Sequence, residues 1–309
     1  MKISIVVTVY NEEDNVKPLI DRVDEAMQGI DYELVLVDDG SKDETVKRAK
    51  AASNSRTKLV IFRRNYGQST AMMAGIDHAE GEFIATMDGD LQNDPLDIPI
   101  MLKKCEDEAW DVVAGRRANR KDGFVLRKFP SKIANWIIRN STDVHLNDYG
   151  CSLRVYRAEI AKGLGLYGEL HRFIPVLAAL QGAKMTEVDV RHHPRTAGKS
   201  KYGINRTFKV MADLILMVFF QKYLQRPMHL FGGFGFVFFI LGAAINLYLL
   251  IEKIGGADIW GRPILILGAI LLFAGIQFIT IGLSMELMMR TYFESQDKKT
   301  YAVKEVFKG

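Results

Sequence analysis

The chain has 309 residues, 25% of them charged and 48% hydrophobic, which is room for one large domain or two modest ones. Its net charge of +4 is too mild to imply nucleic-acid binding without a basic stripe, so no nucleic-acid partner is expected. Cys105 and Cys151 are too far apart for a disulfide framework or a zinc site and suit a reducing compartment.

The opening "MKISIVVTVYNEE" has an apolar run too short for a signal peptide and reads as a first strand. Further strands are expected at 32–38, 58–62, 83–87 and 111–115, all rich in Val and Ile as in a sheet buried on both faces. Helical patterns fall between them at about 12–28, 42–53, 68–79 and 96–108. Ser41 and Asp43 suit the start of the second helix, and Pro95 the first turn of the fourth. This alternation argues for a mostly parallel α/β sheet, whose ligands bind at the carboxyl ends of strands. Three acidic turns lie there: Tyr10-Asn11-Glu12, Asp38-Asp39-Gly40-Ser41 and Asp88-Gly89-Asp90.

Two carboxylates as close as Asp88 and Asp90 repel unless a cation sits with them. Hard oxygen donors on a turn suit Mg²⁺ or Mn²⁺, with substrate phosphates completing the shell. A lone D-x-D is usually a solvated turn; its place beside two other acidic strand ends gives this one weight. "GLGLYG" at 163–168 matches a dinucleotide fingerprint but follows "RVYRAEIAK", expected to be helical, so it is set aside. Basic residues gather at Arg116, Arg117, Arg120, Lys121, Arg127 and Lys128, and again at Arg195, Lys199 and Lys201. Such loops are either solvated or able to close on phosphate.

Segments 131–141 and 204–227 mix aromatic and aliphatic residues with Lys and Arg, as interfacial helices do. Residues 230–251 and 263–285 then run 22 and 23 positions without a charge. Each would span about 33–35 Å as a helix, enough to cross a bilayer. The loop between them holds two acids and two bases, whereas Lys222, Arg226, Arg290, Lys298 and Lys299 flank the pair. Both ends of this hairpin are therefore expected inside, with a cytoplasmic domain before it.

The ordered set "VVTVYNEE", "LVDDGS", "RNYGQ", "MDGDLQNDP", "DYGCSLRVYR" and "RTAGKSKYG" resembles the family 2 glycosyltransferases of the GT-A fold. The C-terminal hairpin narrows the resemblance to the membrane-anchored polyprenyl-phosphate glycosyltransferases, and the spellings are most similar to the branch that transfers formamido-arabinose. The resemblance covers essentially the whole chain. It implies a GT-A domain over 1–203, an interfacial helix over 204–229, a transmembrane hairpin over 230–289 and a cytoplasmic tail over 290–309. It places Thr8, Tyr10, Glu12 and Asp39 around the nucleoside, and Asp88 and Asp90 on the metal and diphosphate, with Gln92 just beyond. Arg116, Arg127, Arg195 and Lys201 are implied at phosphates of the donor or the lipid, and Asp148 and Asp90 as catalytic carboxylates. Thr8 stands where the family usually has proline.

Implied with these are a nucleotide-sugar donor, UDP-linked by analogy, a polyprenyl phosphate acceptor, inversion at the anomeric carbon and a homotetramer in the bacterial inner membrane. A processive synthase of the same fold is disfavoured because the chain lacks Q-x-x-R-W and two helices cannot enclose a channel. A soluble nucleotidyltransferase is disfavoured by the hairpin. A non-catalytic scaffold is disfavoured by the intact acidic and basic motifs.

Overall fold

The computed structural model describes residues 1–117, 146–194, 219, 223 and 226–295. The chain divides into two compact units, Met1–Ile215 and Leu216–Gly309.

The first unit alternates β1 (Ile3–Val9), α1 (Val16–Ala26), β2 (Tyr32–Asp38), α2 (Thr45–Ala52), β3 (Thr57–Ile61), α3 (Gln68–Asp77) and β4 (Phe83–Asp88). A 3₁₀ turn at Pro95–Asp97 leads into α4 (Ile98–Asp107) and β5 (Val112–Arg116). After the next described segment come β6 (Arg154–Arg157), α5 (Ala158–Lys162), a 3₁₀ turn at Leu170–Phe173, α6 (Ile174–Leu180) and β7 (Met185–Asp189). The sheet order is β3-β2-β1-β4-β6-β5-β7. The first four strands are mutually parallel, β6 runs antiparallel between β4 and β5, and β7 is parallel to β5.

The apolar runs form buried strands because helices cover both faces. Ile5, Val7, Leu34, Leu36, Ala85 and Met87 join Leu19, Ile20 and Val23 of α1 and Met101 and Leu102 of α4 in one core. Val6, Val35, Val37 and Ile84, on the other face, are equally buried. Each such aliphatic side chain contributes about 1.5–3 kcal/mol on burial. Pro95 takes the first position of its turn, and Asp94 caps it by accepting the Leu96 N–H at 3.1 Å.

One expectation is corrected. "RVYR" is strand β6, and only Ala158–Lys162 is helical. Four residues are too few to show a period, and pairing on both sides with β4 and β5 decides the conformation. "GLGLYG" lies beyond α5, with no strand leading into it.

In the second unit α7 (Pro227–Ile254) and α8 (Pro263–Ser295) pack together as a hairpin. Within their most apolar windows only 17% and 11% is buried, which distinguishes them from core helices of a soluble protein. They are membrane spans, and the flanking positive charge keeps the preceding domain cytoplasmic. Their contact is glycine-lined. A Cβ at Gly242 would lie 2.9 Å from the Gly268 carbonyl, and one at Gly275 would lie 2.6 Å from the Phe239 nitrogen. Gly242 of α7 and Gly275 of α8 thus serve close backbone packing inside the hairpin itself.

Candidate active site

Register places three acidic turns at one sheet edge. Val9 pairs with Asp38, and Thr8 with Asp88. The strand order reverses between β1 and β4, since β2 and β3 lie to one side of β1 and β4 to the other. The crevice outside such a switch point is where open α/β sheets bind ligands.

Asn11 adopts φ 53°, a left-handed conformation that Asn tolerates. Its N–H donates to Ser41 Oγ at 2.8 Å and its side chain accepts the Lys42 N–H at 2.9 Å. Glu12 is tied in the same way, its N–H donating to Thr45 Oγ1 at 2.8 Å while its carboxylate accepts Asn15 Nδ2 at 2.6 Å. The Tyr10-Asn11-Glu12 turn is therefore laced to the turn after β2. Asp39 is buried and receives the N–H groups of Tyr66 and Gly67 at 2.7 and 3.0 Å. Burial still raises its carboxyl above the usual range.

Asp88 ends β4, and its Oδ1 accepts the Gln68 amide at 2.7 Å from the first position of α3. Burial, and then the neighbouring Asp90 carboxylate, push its carboxyl up to about 6. The buried Arg154 guanidinium opposes this shift without cancelling it, and its Nη2 is anchored on the Tyr149 carbonyl at 2.8 Å. Gly89 leaves no space for a side chain: a Cβ would sit 2.5 Å from Val9 Cγ1. Leu91 follows at φ 58°, unusual for a bulky residue, and the Gln92 N–H returns to Asp90 Oδ1 at 3.2 Å.

This pair fits a divalent ion. Two adjacent carboxylates, one pushed towards neutrality by burial and by the other, are in deficit of positive charge, and hard oxygens suit Mg²⁺ or Mn²⁺. Among the described residues no third acidic, His or Cys side chain joins them. A small ion that keeps waters and substrate phosphates in its shell is compatible with that donor set.

Asp148 is fully engaged. Arg117 grips it through Nε to Oδ2 at 2.7 Å and Nη2 to Oδ1 at 2.8 Å, and the Gly150 N–H donates to Oδ1 at 3.0 Å. Burial opposes ionisation, yet the Arg117 guanidinium and these N–H groups outweigh it and hold the carboxyl below its ordinary range. Arg116 is forked by Asp189 at 2.5 and 2.9 Å, both side chains being largely exposed. Arg127, Arg195 and Lys201 lie outside the described residues. Sequence reasoning gave no role to Gln68, Arg154 or Arg191. Gln68 sits inside the quoted "RNYGQ", directly after Gly67, which opens α3 at φ 95°; that helix start was its only local signal.

An acid-lined switch point on an α/β sheet is thus followed in the chain by two membrane spans. The family model for glycosyl transferase family 2 matches residues 4–165, and the chain belongs to that family. It is 46% identical to a dodecaprenyl-phosphate galacturonate synthase of Rhizobium johnstonii, over 99% of this chain and 93% of that one. Undecaprenyl-phosphate 4-deoxy-4-formamido-L-arabinose transferases of Shewanella sediminis and Klebsiella pneumoniae are 38% and 36% identical, with the same coverage. The chain is accordingly a glycosyltransferase of the polyprenyl-phosphate kind. Among solved structures, glucosyl-3-phosphoglycerate synthase from Mycobacterium tuberculosis, in complex with Mn²⁺, UDP-glucose and phosphoglyceric acid, superposes with a TM-score of 0.55. That match covers 71% of this chain and 79% of that one at 16% identity, a likeness of fold.

Proposed function

We propose that the chain transfers one sugar from a UDP-linked donor to the phosphate of undecaprenyl or a similar polyprenyl lipid, with inversion, at the cytoplasmic face of a bacterial plasma membrane. The observation that carries this reading is the paired Asp88–Asp90 edge, short of positive charge, in a chain whose second unit is a membrane hairpin. Tyr10, Glu12 and Asp39 line the nucleoside end of the crevice. Asp88 and Asp90 would hold Mg²⁺ or Mn²⁺, with Gln68 fixing the Asp88 rotamer. When bound, that ion offsets the negative charge of the leaving diphosphate.

The acceptor phosphate, with a second pKa near 6, is already ionised at neutral pH, so no strong base is required. Asp148 suits that chemistry as a positioning group: its ionised form is locked by Arg117, and a carboxylate of lowered pKa is a poor proton acceptor. Arg127, Arg195 and Lys201 are assigned to phosphates on the family resemblance, and Arg116 could exchange Asp189 for one. Higher identity to the galacturonate synthase than to the formamido-arabinose transferases makes an acidic sugar the first donor to test. The homotetramer implied by the resemblance would have to form through surfaces other than the Gly268–Gly275 stripe, which α7 already covers.

The test uses purified protein in detergent with undecaprenyl phosphate, Mn²⁺ and UDP-galacturonate, UDP-galactose, UDP-glucose and the UDP-linked formamido sugar. UDP release together with a lipid-linked sugar, abolished in Asp90→Asn, supports the reading. Binding of neither UDP nor lipid would count against it.

A further inference from the structure

The 3₁₀ turn Leu170–Phe173 packs against α3, the helix whose first residue, Gln68, holds Asp88. The His171 N–H donates to Ser69 Oγ at 3.1 Å, and His171 Nδ1 lies 2.8 Å from the same oxygen. Ser69 is fully buried and directly follows Gln68, whose amide holds Asp88. The turn is thereby stapled to the helix start that forms one wall of the crevice.

Arg172 is the next residue on that turn. Its Nη2 pairs with Glu169 Oε2 at 2.6 Å, which fixes the plane of the guanidinium. Its Nε and Nη1 are shielded from solvent and have no hydrogen-bond partner. Arg116, Arg117 and Arg191 differ in this respect, since each is gripped through two of its nitrogens by a carboxylate. A dry, unpaired donor on a permanently charged group is costly, and part of the cost is recovered when an anion's oxygen takes it.

Resting on the transferase reading above, we propose that Arg172 is an oxyanion subsite beside the sugar-transfer centre. Its occupant is a carboxylate or phosphate oxygen, supplied either by an acidic sugar on the donor or by the phosphate of the lipid acceptor. A planar guanidinium with its orientation set by Glu169 suits either group and discriminates against a neutral hydroxymethyl.

The test compares the wild type, Arg172→Gln, Arg172→Lys and Glu169→Gln in steady state, varying donor and lipid separately. If the sugar supplies the anion, Arg172→Gln raises KM for UDP-galacturonate by about 10- to 100-fold and leaves UDP-galactose within about twofold. Arg172→Lys then restores part of the loss. If the lipid phosphate supplies it, the lipid KM rises with every donor while donor KM values hold. Folded Arg172→Gln with all constants unchanged overturns the proposal. Should that variant fail to fold, Glu169→Gln decides. Releasing the guanidinium from the carboxylate that sets its plane raises the KM of the anion-bearing substrate several-fold under this assignment, and an unchanged KM rejects it. A wild type silent with every donor speaks against the transferase reading, whereas turnover with Arg172 inert speaks against the subsite alone.

Discussion

Asp88 shows how a single residue reports the chemistry of its surroundings. Its raised carboxyl means that the folded, metal-free chain holds a proton that the unfolded chain gives up near 3.8. Stability from this group is therefore full below about pH 4 and falls by about 3 kcal/mol as pH rises to about 6, levelling beyond. A divalent ion competes with that proton, so Mn²⁺ affinity should fall about tenfold per unit below pH 6. Titration of Mn²⁺ by electron paramagnetic resonance between pH 5 and 8 reads this directly. In Asp90→Asn one of the two causes is gone, and the inflection moves to lower pH. Asp148 should behave in the opposite sense. Replacing Arg117 by Met strands a poorly exposed carboxylate, costs about 3 kcal/mol in chemical denaturation, and raises the Asp148 pKa. The Asp88–Asp90 pair was legible in the sequence because charge at a strand end is conspicuous. Arg117's engagement with Asp148 was not, because the two are 31 positions apart and only the fold brings them together.

At the scale of elements, the loop after β4 is held from the far side of the sheet. The Arg191 N–H donates to Asp97 Oδ2 at 2.7 Å, its Nε donates to Oδ1 at 2.9 Å, and the His193 N–H meets the Gln92 carbonyl at 2.8 Å. Asn93 and His192 form a bridge, and His193 Nε2 reaches Asp94 at 3.1 Å. This clasp sets the path of residues 90–97 and hence the direction of the Asp90 carboxylate. Arg191→Ala should weaken Mn²⁺ binding about tenfold while lowering the thermal midpoint by only a few degrees; an unchanged affinity would remove the positioning role. The first four strands and their helices were readable because each is an unbroken apolar run between turn residues. β7 drew no attention: Met185–Asp189 is short, at the sheet edge and only partly buried, and its identity as a strand comes from pairing with β5.

For the molecule as a whole, the membrane hairpin was the plainest feature of the sequence, since charge is absent over whole helix lengths. What hydropathy does not convey is which face of each span meets the other. That follows from Gly235, Gly242 and Gly275, where the facing backbone comes close, and from Gly268 and Gly282, which seat side chains of the partner helix. Gly242→Leu should force the spans apart and lower the thermal midpoint in detergent, whereas leucine at Gly233, where a Cβ meets nothing, should leave it unchanged. Gly89→Ala belongs to the same class of close approach and should cost about 1–3 kcal/mol, with loss of turnover, because Val9 cannot retreat without disturbing the core.

The antiparallel strand β6 has a consequence for how such a chain diversifies. β5 and β6 are held side by side, with the Gly115 N–H on the Leu153 carbonyl at 2.9 Å and Ala114 opposite Arg154. Closing a loop whose ends the sheet already holds adjacent costs only logarithmically more as it lengthens. A change in the length of sequence joining these two strands should therefore leave the register of the β1–β4 edge intact.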